Sequence, residues 1–123
     1  KGAASILQPD LCHAGGINEV RIIAGMAEAS YAAIAPHNPL GPISLAACLQ
    51  LDASIPNFLA QEHTTLGEGY LKKPFVFKDG YVEVPTGPGL GIELDEDAME
   101  DKIDHDWQNP QSYLQDDGSV VDW

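Results

Sequence analysis

An aspartate, a histidine and a glutamate, Asp10, His37 and Glu62, each close a short apolar run of the chain. The intervals between positions 10, 37 and 62 are each close to the roughly 30 residues of a βαβ unit. Three ionisable groups therefore fall at the carboxyl ends of successive predicted strands. Imidazole exchanges protons near neutral pH, and a carboxylate on its other nitrogen fixes the tautomer and strengthens it as a base. Asp10 and His37 are candidates for such a dyad. Glu62 can hydrogen-bond a substrate carboxyl, or act as an acid if burial raises its pKa. His37 stands in Pro36-His37-Asn38-Pro39-Leu40-Gly41-Pro42, where three prolines fix φ and stiffen the loop that presents the ring. Asn38 is a candidate substrate contact, with a loop hydrogen bond as the plainer alternative. On spacing alone, helix capping and backbone satisfaction explain strand-end polar groups about as well as catalysis does.

Other reactive side chains have plainer readings. Ser44 lacks a G-x-S-x-G elbow, and Cys12 and Cys48 lack an electropositive setting or CxxC spacing. Both cysteines read as buried, reduced thiols, which suits a cytoplasmic protein better than a disulfide framework or a zinc site. His13 falls in a turn, strand alternation points His63 away from the rim, and His105 sits in an acidic tail. Pro85-Thr86-Gly87-Pro88-Gly89-Leu90-Gly91 looks like a phosphate cradle, but has neither the Lys-Ser/Thr ending nor the strand-to-helix setting that one needs.

The elements that would position the three groups alternate. Residues 4–8 form a strand candidate stopped by Pro9, and Gly15-Gly16 frees the backbone before a helical pattern of Val20, Ile23, Ala24, Ala27 and Tyr31. Residues 32–35 make a second strand. Gly41-Pro42 opens a second helix with Ile43, Leu45, Ala46, Leu49 and Ala53 on its apolar face, and residues 58–60 make a third strand. Strand-helix-strand-helix-strand implies parallel strands covered by helices. Three such strands leave two open edges, so the chain reads as an incomplete arc that aggregates or stays molten on its own. After Glu62 the pattern changes: residues 75–77 and 81–84 flank Lys78-Asp79-Gly80 as a hairpin, residues 93–103 suggest a short acidic helix, and an irregular tail carries Trp107, Tyr113 and Trp123 as anchors.

The chain of 123 residues has a net charge of −13. Residues 93–123 hold eleven acids and one base, against eight acids and five bases in residues 1–92. Nucleic-acid binding needs Lys/Arg clusters that are not here, and no apolar stretch approaches the roughly 20 residues of a membrane span. The acidic tail reads as a solvated surface.

Taken in order, Gln8-Pro9-Asp10, His13-Ala14-Gly15-Gly16-Ile17, Ala35-Pro36-His37-Asn38-Pro39-Leu40-Gly41-Pro42, Gln61-Glu62, Gly87-Pro88-Gly89-Leu90-Gly91, Asp106-Trp107-Gln108-Asn109-Pro110 and Val121-Asp122-Trp123 resemble the enolase superfamily. Within it the chain is similar to the mandelate racemase/muconate lactonizing enzyme group, and there to D-galactonate dehydratases. The resemblance implies an α/β fold, the C-terminal portion of a modified (β/α) TIM barrel. Residues 1–66 would be the last three βα units, and residues 67–123 an extension packing towards a capping domain that this chain does not contain. It further implies dehydration of D-galactonate to 2-keto-3-deoxygalactonate. His37 would remove the proton α to the carboxylate, Asp10 would orient it, Glu62 and Asn38 would contact substrate, and Mg²⁺ bound by upstream strands would stabilise the enediolate. Another sugar-acid dehydratase, a racemase acting on a mandelate-like acid, or an inactive interaction module are the alternatives. The implied partners are a small sugar acid, the rest of the barrel and the cap, in a parent that forms a homo-oligomer.

Overall fold

The computed structural model describes residues 2–102 and the backbone pairing of two further short strands. Strand β1 (Ile6–Leu7) leads through a turn into helix α1 (Gly16–Glu28), then strand β2 (Ala33–Ile34) and helix α2 (Pro42–Asp52). β1 and β2 pair in parallel, with Ile6 opposite Ala33 and Leu7 opposite Ile34. The third predicted strand is reduced to a single parallel bridge, Ile34 to Phe58, carried by Ile34 N–H to Asn57 C=O and Leu59 N–H to Ile34 C=O. Among the described residues nothing pairs with its outer edge, so ladder formation stops at that bridge. The order across the arc is still β1, β2, then residues 57–59, all parallel.

The helices form where chain stereochemistry allows. Gly15, at φ 99°, takes the left-handed conformation that turns the backbone into α1. Val20, Ala24 and Ala27 recur at helical spacing and are buried. Tyr31 is not on this face, contrary to the expectation. The helix ends at Glu28, and Tyr31, at φ 56° and 98% exposed, turns the chain while Ala32 N–H returns to Ala27 C=O. Pro42 starts α2 in the first turn, where its missing N–H costs nothing.

The core lies between the helices and the parallel strands. Leu11, Val20, Ala24, Ala27, Ala32, Ile34, Cys48, Leu51 and Ile55 form its buried cluster, with Leu7 packed against it. Helix α2 is buried on nearly every side, as an apolar-all-round helix should be, but Ile43 and Ala53 lie outside that packing and are exposed. Burial alternates along the β2 stretch. Ile34, Pro36 and Asn38 are buried beneath the helices, whereas Ala33, Ala35 and His37 are half-buried on the opposite, concave face. Ile6 is likewise exposed, on a concave face that has no facing strands among the described residues.

The hairpin is shorter than predicted. β3 (Phe77–Lys78) pairs antiparallel with β4 (Tyr81–Val82) across Asp79-Gly80, both at positive φ, as a tight two-residue turn requires. Gly91, at φ 73°, packs so close to Pro85 that a Cβ there would meet the proline ring at 2.5 Å, and its N–H closes a turn on Pro88 C=O. The glycines of this loop therefore serve a tight turn. The acidic helix is a 3₁₀ turn, Asp97–Lys102. In the tail, expected to be irregular, β5 (Tyr113–Leu114) pairs with β6 (Val120–Val121). The anchoring expected of Trp107, Tyr113 and Trp123, the setting of His105 and the Asp106–Pro110 motif lie outside the described residues. Among the described residues no helix is long and apolar enough to cross a membrane.

Candidate active site

Asp10, His37 and Glu62 stand where three adjacent backbone segments end on one side of the arc. Ala35 N–H bonds Leu7 C=O and His37 N–H bonds Pro9 C=O, which carries the β1–β2 pairing two residues past the strands and brings position 37 beside position 10. On the other flank, the bridge at Phe58 brings position 62 alongside position 38.

The contacts run through all three side chains. Asp10 is buried, 8% exposed. Its Oδ1 accepts the backbone N–H of Cys12 at 2.8 Å, and its Oδ2 lies 3.2 Å from His37 Nδ1. With Nδ1 facing a carboxylate, a ring protonated at that nitrogen presents Nε2 as its acceptor. Nε2 stands 3.9 Å from Glu62 Oε2, and the imidazole is 35% exposed. Glu62 Oε2 accepts the backbone N–H of Asn38 at 2.9 Å. The carboxylate of Asp10 is thus tied down at both oxygens, and the second ring nitrogen of His37 stands beside a second carboxylate. That arrangement can take a proton from a molecule on the concave face.

Asn38 does not present its side chain there. The residue is fully buried on the helix side, neither amide atom has a hydrogen-bond partner among the described residues, and it reaches the site through its backbone N–H. The alternation that buries positions 34, 36 and 38 continues into the loop, and the loop hydrogen bond offered as the plainer alternative is made by the backbone of Asn38.

Residues given plainer readings fall outside the triad. His63 stacks at a tilt on Phe77, ring centroids 6.0 Å apart, away from His37. His13 is exposed in the turn after Asp10. Cys48 is buried as expected, and burial pushes its thiol up to about 12, with the Asp52 carboxylate adding to the rise. Cys12 is exposed, which corrects the expectation of two buried thiols. Its Sγ lies 3.5 Å from Ser44 Oγ, at the surface where the post-β1 turn meets the start of α2.

Gln61, beside Glu62 in the chain, has a role that residue type alone does not reveal. Its Nε2 donates to Pro36 C=O at 3.3 Å and to Glu62 C=O at 2.6 Å. The signal available in the sequence was a long amide beside a candidate glutamate, and that alone does not say which carbonyls it reaches.

The Mg²⁺ implied by the resemblance does not fit the residues described. No group of three or more His, Cys, Asp or Glu side chains is gathered for an ion among them, and the carboxylates of Asp10 and Glu62 are engaged by backbone N–H groups.

Comparison with known proteins gives a consistent result. The model of the enolase C-terminal domain-like family matches residues 1–98. A D-galactonate dehydratase of Ralstonia nicotianae is 46% identical across 99% of this chain and 35% of its own length. Among solved structures, an enolase from Agrobacterium radiobacter, described as a candidate galactarate dehydratase with bound sodium and L-malate, matches with a TM-score of 0.77 at 37% identity. It covers 95% of this chain and 34% of its own. A mandelate racemase/muconate lactonizing enzyme from Sulfitobacter sp. matches with a TM-score of 0.71 at 46% identity, over 78% of this chain and 25% of its own. The chain spans about a third of the length of the curated relatives it matches.

Proposed function

The chain belongs to the enolase C-terminal domain-like family and has the α/β fold of a barrel arc, and from that footing we propose that it is the C-terminal part of a sugar-acid dehydratase converting D-galactonate to 2-keto-3-deoxygalactonate. Residues 1–66 supply the last three βα units of the barrel and residues 67–123 the extension towards a capping domain. The rest of the barrel comes from sequence outside this chain.

His37 takes the proton from the carbon α to the substrate carboxylate through Nε2. Asp10, receiving Nδ1–H, holds the ring in that tautomer and offsets the positive charge as it forms. Glu62, fixed at one oxygen by Asn38 N–H, borders the same space and, with a proton on its other oxygen, donates to the substrate carboxylate. The electron pair left at the α-carbon moves into the carboxylate to give an enediolate. Its return expels the β-hydroxyl, which leaves as water once protonated by an acid that this chain does not provide. The enol product tautomerises to the 2-keto-3-deoxy acid. Ligands for Mg²⁺ are likewise assigned to sequence outside this chain.

The observation that carries this reading is the line of contacts Asp10–His37–Glu62 at the strand ends, where barrel enzymes of this architecture keep their chemistry. The choice of D-galactonate is supported by the similarity to D-galactonate dehydratases along nearly the whole chain. The test is to incubate the full-length protein and Mg²⁺ with D-galactonate, D-gluconate, galactarate and mandelate, following 2-keto acid formation and loss of optical activity. Turnover of D-galactonate supports the reading; racemisation of mandelate with no aldonate turnover overturns it.

A further inference from the structure

The base of the site is held through its backbone as well as through its ring. The peptide joining Pro36 to His37 is fastened on both flanks. Its N–H donates to Pro9 C=O at 3.1 Å, on the β1 side. Its carbonyl accepts Gln61 Nε2 at 3.3 Å, on the Glu62 side. The same amide nitrogen donates to Glu62 C=O at 2.6 Å, so one side chain ties the peptide of the base to the backbone of the neighbouring carboxylate. Only the –NH₂ end of a primary amide can serve two carbonyls, because a flipped amide would set oxygen against oxygen at both. The loop has little alternative means of fixing this peptide. Pro36, Pro39 and Pro42 have no N–H to donate, and Asn38 N–H is already committed to Glu62.

We propose that Gln61 is a positioning residue that sets the orientation of the His37 base against Glu62, an inference that rests on the dehydratase reading above. The hydrogen bonds that Gln61 makes among the described residues go to backbone carbonyls. It acts by holding the Pro36–His37 peptide plane, and with it the direction in which Cα–Cβ of His37 leaves the backbone. A tilt of that plane would swing Nε2 away from a substrate carbon while leaving the ring in the site. Misplacement of a reacting group by about 1 Å can cost about a hundredfold in rate without loss of binding. Gln61 therefore governs kcat more than KM.

The experiment uses the full-length protein carrying Gln61→Met, which keeps length and loses both donors, and Gln61→Glu, which sets a carboxylate against two carbonyls. Turnover of D-galactonate should fall about ten- to hundredfold in kcat with KM within about twofold of the parent. In parallel, ¹⁵N-histidine NMR without substrate should show His37 as one neutral tautomer protonated at Nδ1 in the parent, and as a mixture in both variants. Parent-like kcat with a parent-like spectrum overturns the inference. So does a loss confined to KM and melting temperature with the tautomer unchanged, which would mark Gln61 as structural. If the parent turns over no sugar acid, the dehydratase reading fails by itself, and the tautomer comparison still decides whether Gln61 orients His37.

Discussion

Asp10 and His37 meet at 3.2 Å, Oδ2 to Nδ1, although one residue opens the turn after β1 and the other sits in a proline-rich loop after β2. Two features make the meeting specific. Cys12 N–H holds the far oxygen of Asp10, and His37 N–H is bonded to Pro9 C=O, next to Asp10 in the chain. Replacing the carboxylate with an amide keeps the shape and removes the charge. Asp10→Asn in the full-length protein is expected to lower kcat about 10²–10⁴-fold, the usual span for loss of general-base assistance, with the melting temperature nearly unchanged. Steady-state kinetics with thermal unfolding checks this; parent-like kcat would remove Asp10 from the mechanism.

Glu62 should report differently, because its Oε2 accepts Asn38 N–H and borders His37 Nε2 at once. Glu62→Leu, which removes both carboxyl oxygens at similar volume, is expected to raise KM for the sugar acid and to lower kcat about tenfold or more, because a hydrogen bond to a charged group contributes about 1.5–3 kcal/mol. Glu62→Ala should be worse on both counts. Equal kinetics for parent and both variants would show that this side chain faces no substrate.

Much of this was legible beforehand. The strand-helix alternation followed from periodicity and from Gly15, Gly41 and Pro42, because those residues act locally. The grouping of positions 10, 37 and 62 followed from parallel strands putting equivalent ends on one side. What stayed hidden depended on packing beyond the local window. Tyr31 matched the helical period but lies in the turn that ends α1, and Ile43 matched an apolar face on a helix whose burial is set by neighbours on several sides. Asn38 looked like a substrate contact because its type suits one, whereas only the burial alternation shows that its side chain turns to the helices. Cys12 and Cys48 have similar apolar neighbours in sequence and opposite exposures in space.

That difference between the thiols can be measured. Cys12 is exposed, whereas Cys48 is buried with its thiol pushed up to about 12, so little thiolate forms there near neutral pH. A charged disulfide reagent at pH 8 is expected to titrate one thiol of this pair in the folded chain and both after denaturation. Mass mapping should place the native label on Cys12. Equal native labelling of Cys48 would contradict the packing of α2.

Asp52 gives a pH dependence of stability opposite to that of most carboxylates. It is buried at the end of α2, neither carboxylate oxygen has a hydrogen-bond partner among the described residues, and burial pushes its pKa from 3.8 up to about 7. The folded value lies above the unfolded one, so the folded state holds the proton more tightly. Its contribution is full below about pH 3.8 and is lost as pH rises through about 7, at about 1.4 kcal/mol per pH unit and about 4 kcal/mol at most in total. Asp52→Asn removes the charge, so its melting temperature should exceed that of the parent by more at pH 8 than at pH 5. An equal difference at both pH values would contradict the burial of this carboxyl.

The most direct test of the account follows the proton that His37 is assigned to take. Full-length protein with Mg²⁺ and D-galactonate in D₂O, monitored by ¹H NMR, is expected to consume the α-proton signal as the 2-keto-3-deoxy acid forms. His37→Asn at the same concentration should neither exchange that proton nor form the keto acid. Turnover or exchange by His37→Asn at the parent's rate would contradict the assignment.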